Sequence, residues 1–74
     1  MNKDQRIEKV NSQRDDAIFM VENETGFYWA NSDRGYNSDI RFSRIFTKDE
    51  IRNMLENGSF MNKKIVCYQP DAII

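Results

Sequence analysis

The sequence predicts a small α+β domain in which an antiparallel sheet, made of a β-hairpin and a C-terminal strand, packs on one capped helix. Two apolar runs separated by a polar tetrapeptide that ends in Gly26 indicate the hairpin. A reciprocal capping pattern at Thr47 and Glu50 indicates a helix start. A third apolar run at residues 64–68 predicts the last strand, which ends at Gln69-Pro70 because proline cannot donate a hydrogen bond to a β-ladder.

The first sixteen residues are much more polar than the rest of the chain. In residues 2–16 the large apolar side chains are Ile7 and Val10, which are spaced as on one turn of a weakly amphipathic helix. A disordered arm is the alternative. We therefore expect a polar N-terminal arm or frayed helix over residues 1–16 that orders on docking, followed by a single small α+β domain over residues 17–74.

The predicted hairpin has strands at residues 17–22 and 27–30 and a turn at residues 23–26. Gly26 can adopt the left-handed conformation that closes a type I turn with a bulge, and asparagine is favoured at the first position of such a turn. In the second strand we expect Phe27 and Trp29 on the core face and Tyr28 on the opposite face.

Both faces of the first predicted strand are apolar. Ile18 and Met20 point to one side, and Phe19 and Val21 point to the other. A hairpin with one solvated face alternates apolar and polar residues, so we expect this sheet to be covered on both sides. The capped helix is one cover, and the N-terminal arm, a second subunit or a target is the other.

The segment between the hairpin and the helix contains weaker signals. We expect a turn at residues 32–35, one short helical turn at residues 38–42 and a short strand at residues 44–46 that leads into the helix. The helix itself is predicted from about residue 48 to residue 57, with Gly58 as its C-terminal cap.

Length and composition limit the class of protein. A chain of 74 residues forms at most one domain with a thin stability margin, so homo-oligomerisation is left open as a supplement to its core. The composition, 39% hydrophobic and 31% charged, is that of a soluble globular protein. The longest apolar run, residues 17–21, is far too short to span a membrane. We expect a cytoplasmic protein.

Catalytic and metal chemistry have few candidate residues. The chain contains no histidine, and its one cysteine, Cys67, lies within a predicted strand between apolar neighbours, as a buried structural thiol does. The carboxylates do not follow the spacing of a calcium loop, and the glycines form no phosphate-binding pattern. We expect no enzyme activity, no catalytic residues, no metal and no cofactor.

Aromatic and arginine side chains are concentrated between residues 27 and 44. Tyrosine, tryptophan and arginine are typical of protein-interface hot spots, and loops between rigid elements often carry them. The candidate partner-binding residues are Tyr28, Arg34, Tyr36, Arg41, Phe42 and Arg44. A loop that only folds over its own sheet, with the arginines paired to Asp33 and Asp39, is the alternative for any one of them.

The same residue types also occur in single-stranded nucleic-acid binders, where aromatic rings stack on bases and arginines contact phosphates. The net charge of -1 disfavours that function relative to protein binding. A third candidate is a small-molecule sponge that forms its pocket at a dimer interface.

Residues 27–68 resemble a loose set of small uncharacterised proteins encoded by bacteriophages and prophages. The matching segments are Tyr28-Trp29, Gly35-Tyr36-Asn37-Ser38-Asp39, Phe46-Thr47-Lys48-Asp49-Glu50-Ile51 and Lys64-Ile65-Val66. The chain departs from the pattern with Asn37 where threonine is common and with Ser43 where alanine is usual. The resemblance implies a phage accessory protein that binds a host protein in the bacterial cytoplasm, inhibiting or redirecting a host or defence factor. It implies no catalytic residues.

Overall fold

The structure, a computed structural model, describes residues 2–31 and 33–68. These residues form the elements α1 (Lys3–Asn11), β1 (Ile18–Glu22), β2 (Tyr28–Asn31), β3 (Gly35–Asn37), a 3₁₀ turn (Ile40–Phe42), β4 (Phe46–Thr47), α2 (Lys48–Glu56) and β5 (Lys64–Tyr68). The α+β prediction is confirmed. The predicted strand end at Gln69-Pro70 lies outside the described residues.

Strand β1 is the centre of an antiparallel sheet. On one side of β1, strand β5 pairs with the whole length of β1. On the other side, β2 and β4 each pair with one end of β1, and β3 pairs with the outer edge of β2. The register places Phe19 of β1 opposite both Cys67 of β5 and Phe46 of β4. The helix α2, which follows β4 directly, is thereby fixed against the middle of the sheet.

The turn between β1 and β2 is held by one side chain. The Asn23 carboxamide oxygen accepts hydrogen bonds from the backbone N–H groups of Thr25, at 3.0 Å, and Phe27, at 2.9 Å. Gly26 has a φ of +83°, and its N–H donates to the Asn23 carbonyl at 3.0 Å. The predicted hairpin turn, with glycine in the left-handed conformation, is confirmed.

Both ends of α2 follow the predicted capping chemistry. The Thr47 hydroxyl accepts from the Glu50 N–H at 3.1 Å, and the Glu50 carboxylate accepts from the Thr47 N–H at 3.0 Å. At the other end Gly58 has a φ of +82°, while the Ser59 N–H donates to the Met54 carbonyl and the Gly58 N–H to that of Leu55. These two bonds form a Schellman motif.

The polar N-terminal segment contains a helix. Its start is a second capping box, in which the Asn2 side chain accepts from the Gln5 N–H and the Gln5 side chain accepts from the Asn2 N–H. Val10 is buried in the same core as α2 and β1. Of the two alternatives for this segment, the structure shows the helix.

The core lies between one face of the sheet and the two helices. Phe19 and Val21 of β1 point into it, and we call the side of the sheet that they occupy the first face. The buried members of the core are Val10, Ala17, Phe19, Val21, Phe46, Ile51 and Leu55. Because α1 and α2 both contribute to this cluster, the N-terminal arm is not the cover of the opposite face, and of the three alternatives a second subunit and a target remain.

One aromatic residue of the hairpin is placed differently from the prediction. Trp29 packs against the core, as expected, but the Phe27 side chain is 43% exposed. Strand β2 begins its pairing with β1 at Tyr28, opposite Glu22, so Phe27 still belongs to the turn. Its ring therefore lies at the end of the sheet, outside the core.

Candidate protein interface

The second face of the sheet, opposite the helices, is largely apolar. In the β1–β5 ladder Ile18 lies opposite Tyr68, and Met20 lies opposite Val66. Residues directly opposite one another in an antiparallel pair share a face, so these four side chains form one patch. Tyr28 of β2, opposite Glu22, extends the same face on the other side of β1.

The patch is only partly shielded. Met20 is 3% exposed, whereas Ile18, Tyr28, Val66 and Tyr68 are intermediate in exposure. Neither helix lies over this face, since both belong to the cluster on the first face. An apolar sheet face that residues 2–31 and 33–68 leave without a helix is typical of a surface that contacts another molecule.

Two tyrosines give this face hydrogen-bonding groups. Burial raises the pKa of the Tyr68 phenol, with smaller contributions from Tyr28 and from the Glu22 carboxylate. The Tyr68 phenol therefore remains able to donate at neutral pH. Glu22 is itself paired with Lys64 across the ladder, with 3.9 Å between the Lys64 Nζ and a carboxylate oxygen.

The segment 40–45 presents a second group of apolar side chains. The Asp39 carboxylate caps its 3₁₀ turn by accepting from the Arg41 N–H at 3.0 Å. The turn packs on β2, and three large apolar side chains of the segment are each between two fifths and one half exposed: Ile40, Phe42 and Ile45. In so small a protein, three such side chains within six residues are a notable exposed cluster.

Ile45 joins this segment to the second face. The guanidinium carbon of Arg44 lies 4.5 Å from the Phe46 ring centroid and 5.8 Å from that of Trp29. Phe46 is a core residue, and Arg44 lies on the same side as Phe46, so we infer from alternation along the chain that Ile45, between them, points to the second face. The Arg44 N–H donates to the Trp29 carbonyl at 3.0 Å and holds the segment beside β2.

The two arginines of this segment are paired with carboxylates. Arg41 forms a bidentate pair with Asp39, 2.6 Å at the shortest, and this pair holds the pKa of the Asp39 carboxyl below its usual value. Arg44 contacts Glu50 at 3.2 Å. The pKa of Glu50 is lowered mainly by hydrogen bonds from Thr47 and less by Arg44.

The remaining candidate residues lie apart from one another. Tyr36 lies opposite Trp29 in the β2–β3 ladder, which places it on the first face, with the Lys63 Nζ 5.6 Å from its ring centroid. Tyr28 occupies the second face. Arg34 lies in the exposed turn before β3, where its N–H donates to the Asn31 side chain at 2.8 Å. The structure thus brings Phe42 and Arg41 together and separates Tyr36 from Tyr28.

Two of the three exposed apolar residues of the segment 40–45 were not predicted from the sequence as interface residues. Ile40 and Ile45 were not among the candidates, although alternation in Arg44-Ile45-Phe46 already indicates that Ile45 and Phe46 point to opposite sides. Phe60 was also missed. Its φ is +57°, and its ring packs edge-on against Trp29 and Phe46, with centroids 5.4 and 5.9 Å away.

The described part of the chain contains no cluster of metal-ligating side chains. Residues 2–31 and 33–68 bring no three histidine, cysteine, aspartate or glutamate side chains together as a metal site. Burial raises the pKa of the Cys67 thiol, which lowers its reactivity as a nucleophile. Among the same residues, no helix has the length and apolar character needed to cross a membrane.

Comparison with known proteins gives no similar protein from which the role of this interface could be inferred. No protein-family model, no curated protein and no solved structure matches this chain.

Proposed function

We propose that this protein acts by non-catalytic binding to another protein, through the second face and the segment 40–45. The observation that supports the proposal is the apolar second face, which continues into the exposed side chain of Ile45 and lacks a helical cover within the described residues. Leaving apolar surface in water costs roughly 25 cal/mol per Å², so a marginally stable small domain gains by burying it in a complex.

The side chains at this surface fit a protein partner. Tyr28 and Tyr68 combine an apolar ring with a hydroxyl, and Phe42 and Ile45 are apolar anchors beside the arginine at position 41. Aromatic and arginine side chains dominate interface hot spots. Arg41 uses two of its nitrogens on Asp39 and retains further N–H donors for a partner's acceptor.

Charge pairing favours protein over nucleic acid as the partner. Arg41 and Arg44 each contact a carboxylate, and a phosphate would have to compete with Asp39 and Glu50 for them. Backbone-driven nucleic-acid binding depends on cations that release counterions from phosphates. The resemblance to phage accessory proteins supports a bacterial host protein as the partner, with inhibition of a host or defence factor as the result.

A capture experiment with matched variants tests the proposal. The tagged protein, a Phe42→Ser variant, an Ile45→Ser variant and a Phe27→Ser control are each used to capture proteins from a bacterial lysate. Phe27 and Phe42 are 43% and 48% exposed, so the two serine substitutions remove similar exposed area. The captured protein is then purified and titrated against each variant in solution.

We expect Phe42→Ser and Ile45→Ser each to weaken binding by about thirtyfold, the effect of losing a hot-spot side chain. Phe27→Ser should change it by less than about twofold. Equal binding of all four proteins would refute the interface. Binding of labelled oligonucleotides at low salt that weakens steeply at high salt would instead support the nucleic-acid function.

A further inference from the structure

A groove runs along strand β5 on the first face of the sheet, between this strand and α1. Its volume is about 640 Å³, within the range of sites that bind ligands. Its floor is formed by Val10, Phe19, Ile65 and Cys67, and one wall is formed by Arg6 and Lys9 of α1 together with Gln13, which follows the helix. The helix therefore lies beside β5 and leaves Ile65 and Cys67 only partly covered.

The strand that borders the groove has a free edge. Strand β5 pairs with β1 over five consecutive residues, and within residues 2–31 and 33–68 no strand pairs with its other side. An edge strand presents N–H and C=O groups that can pair with an extended chain. A strand added there would direct alternate side chains into the groove and toward Val66 and Tyr68 on the second face.

The charged side chains of the groove wall are cations. Arg6 and Lys9 of α1 line the groove, and its lining includes no carboxylate. Lys63 and Lys64 also border the groove, but their ammonium groups contact Glu24 at 3.1 Å and Glu22 at 3.9 Å outside it, so the positive charge of the groove comes from α1.

The cations of α1 have no such partners. The Arg6 guanidinium donates to three backbone carbonyls of residues 60–63, which are neutral acceptors and do not cancel its charge. Burial lowers the pKa of Arg6, as expected for a cation taken partly out of water. Lys9 forms no ion pair with any other residue that the structure describes. The α1 wall of the groove thus attracts anionic groups.

We infer that the groove and the free edge of β5 bind an extended acidic peptide segment, which adds to the sheet as a further strand. Backbone hydrogen bonds to β5 supply affinity, as in other strand-addition complexes. Glutamate side chains of the segment lay their methylene groups over Ile65 and Cys67 and direct their carboxylates to the α1 wall. Its apolar residues alternate with them and pack beside Val66. This site is separate from the segment 40–45 and goes beyond the proposed function.

The probe is a seven-residue capped peptide of alternating valine and glutamate, compared with the same peptide carrying lysine for glutamate. Cys67 is the only cysteine of the chain and lies in the groove, so its alkylation by iodoacetamide reports occupancy. The saturating acidic peptide should slow alkylation by about tenfold, as about 90% occupancy requires. The lysine peptide should not slow it.

Charge reversal on α1 supplies the matched variants. Lys9→Glu should weaken binding of the acidic peptide by about tenfold, because the attraction between Lys9 and the peptide carboxylates becomes a repulsion. Lys3→Glu makes the same change on the same helix outside the groove and should alter the affinity by less than about twofold.

Four results would overturn the inference. They are no protection by the acidic peptide, equal protection by the lysine peptide, protection by a thymidine oligonucleotide in place of the peptide, and protection that rises with protein concentration alone. The last would assign the edge to a second copy of the chain. None of these results bears on the capture experiment, because its variants, Phe42→Ser and Ile45→Ser, lie outside the groove and the edge of β5.

Discussion

Replacing Arg6 by alanine tests how α1 is anchored to the segment before β5. The Arg6 Nη1 donates to the carbonyls of Phe60 at 2.9 Å and Met61 at 3.0 Å, and its Nη2 donates to that of Lys63 at 2.7 Å. A hydrogen bond contributes about 0.5–1.5 kcal/mol net, and the exposed one to Met61 counts at the low end, so we expect a loss of about 2–3 kcal/mol. At about 4–8 °C per kcal/mol, the midpoint of thermal unfolding should fall by roughly 8–24 °C.

Urea denaturation followed by far-ultraviolet circular dichroism measures this loss. Lys3→Ala is the control, because Lys3 on the same helix makes one exposed 3.5 Å contact with the Glu56 carbonyl and should cost less than about 0.5 kcal/mol. Arg6→Lys keeps the charge but cannot reach three carbonyls with one nitrogen as the guanidinium does, so it should recover only part of the loss. An Arg6→Ala variant within about 0.5 kcal/mol of the wild type would refute this anchoring.

Three further predictions concern the caps of α2. Thr47→Ala should lower the free energy of unfolding by about 1 kcal/mol. Thr47→Ser should keep most of the wild-type stability, because the hydroxyl remains, and equal urea midpoints for the two variants would contradict the capping box. Gly58→Ala should cost about 1 kcal/mol by the same assay, because φ at this position is +82°, and an unchanged midpoint would exclude the left-handed cap. Hydrogen bonds with Thr47 lower the pKa of Glu50 in the folded protein. The Glu50 carboxylate therefore stabilises the fold above its ordinary pKa of 4.5, and this stabilisation is lost as the pH falls through the lower pKa of the folded state. Glu50→Gln should therefore flatten the loss of stability below pH 4.5 in urea titrations at several pH values, and an unaltered acid slope would show that this carboxylate is not linked to folding.

The parts of the fold that sequence predicted are those determined by neighbouring residues. The Asn23 side chain and Gly26 form a turn within five residues, and Thr47 and Glu50 cap a helix within four. Such hydrogen bonds connect residues three or four apart, so the residue types alone indicate them. The hairpin turn and α2 were predicted for this reason, whereas β5 was predicted from its apolar run.

The parts that sequence missed depend on contacts between distant segments. Strand β3 was missed although the turn before it was predicted, because its three residues are defined by their pairing with β2 and are too few to show a period in the sequence. The side of the sheet on which α1 lies depends on Arg6 reaching residues 60–63, and no local pattern records that contact. The split of the candidate site follows from strand alternation, which places Tyr28 and Tyr36 on opposite faces only once β3 is recognised.

Amide hydrogen exchange of the complex with the captured protein tests the central proposal most directly. Binding through the second face should slow exchange in segment 40–45 and in the residues of β2 around Tyr28, while exchange in α1 and α2 stays unchanged. Slowed exchange confined to α1 and α2, with segment 40–45 exchanging as in the free protein, would contradict it.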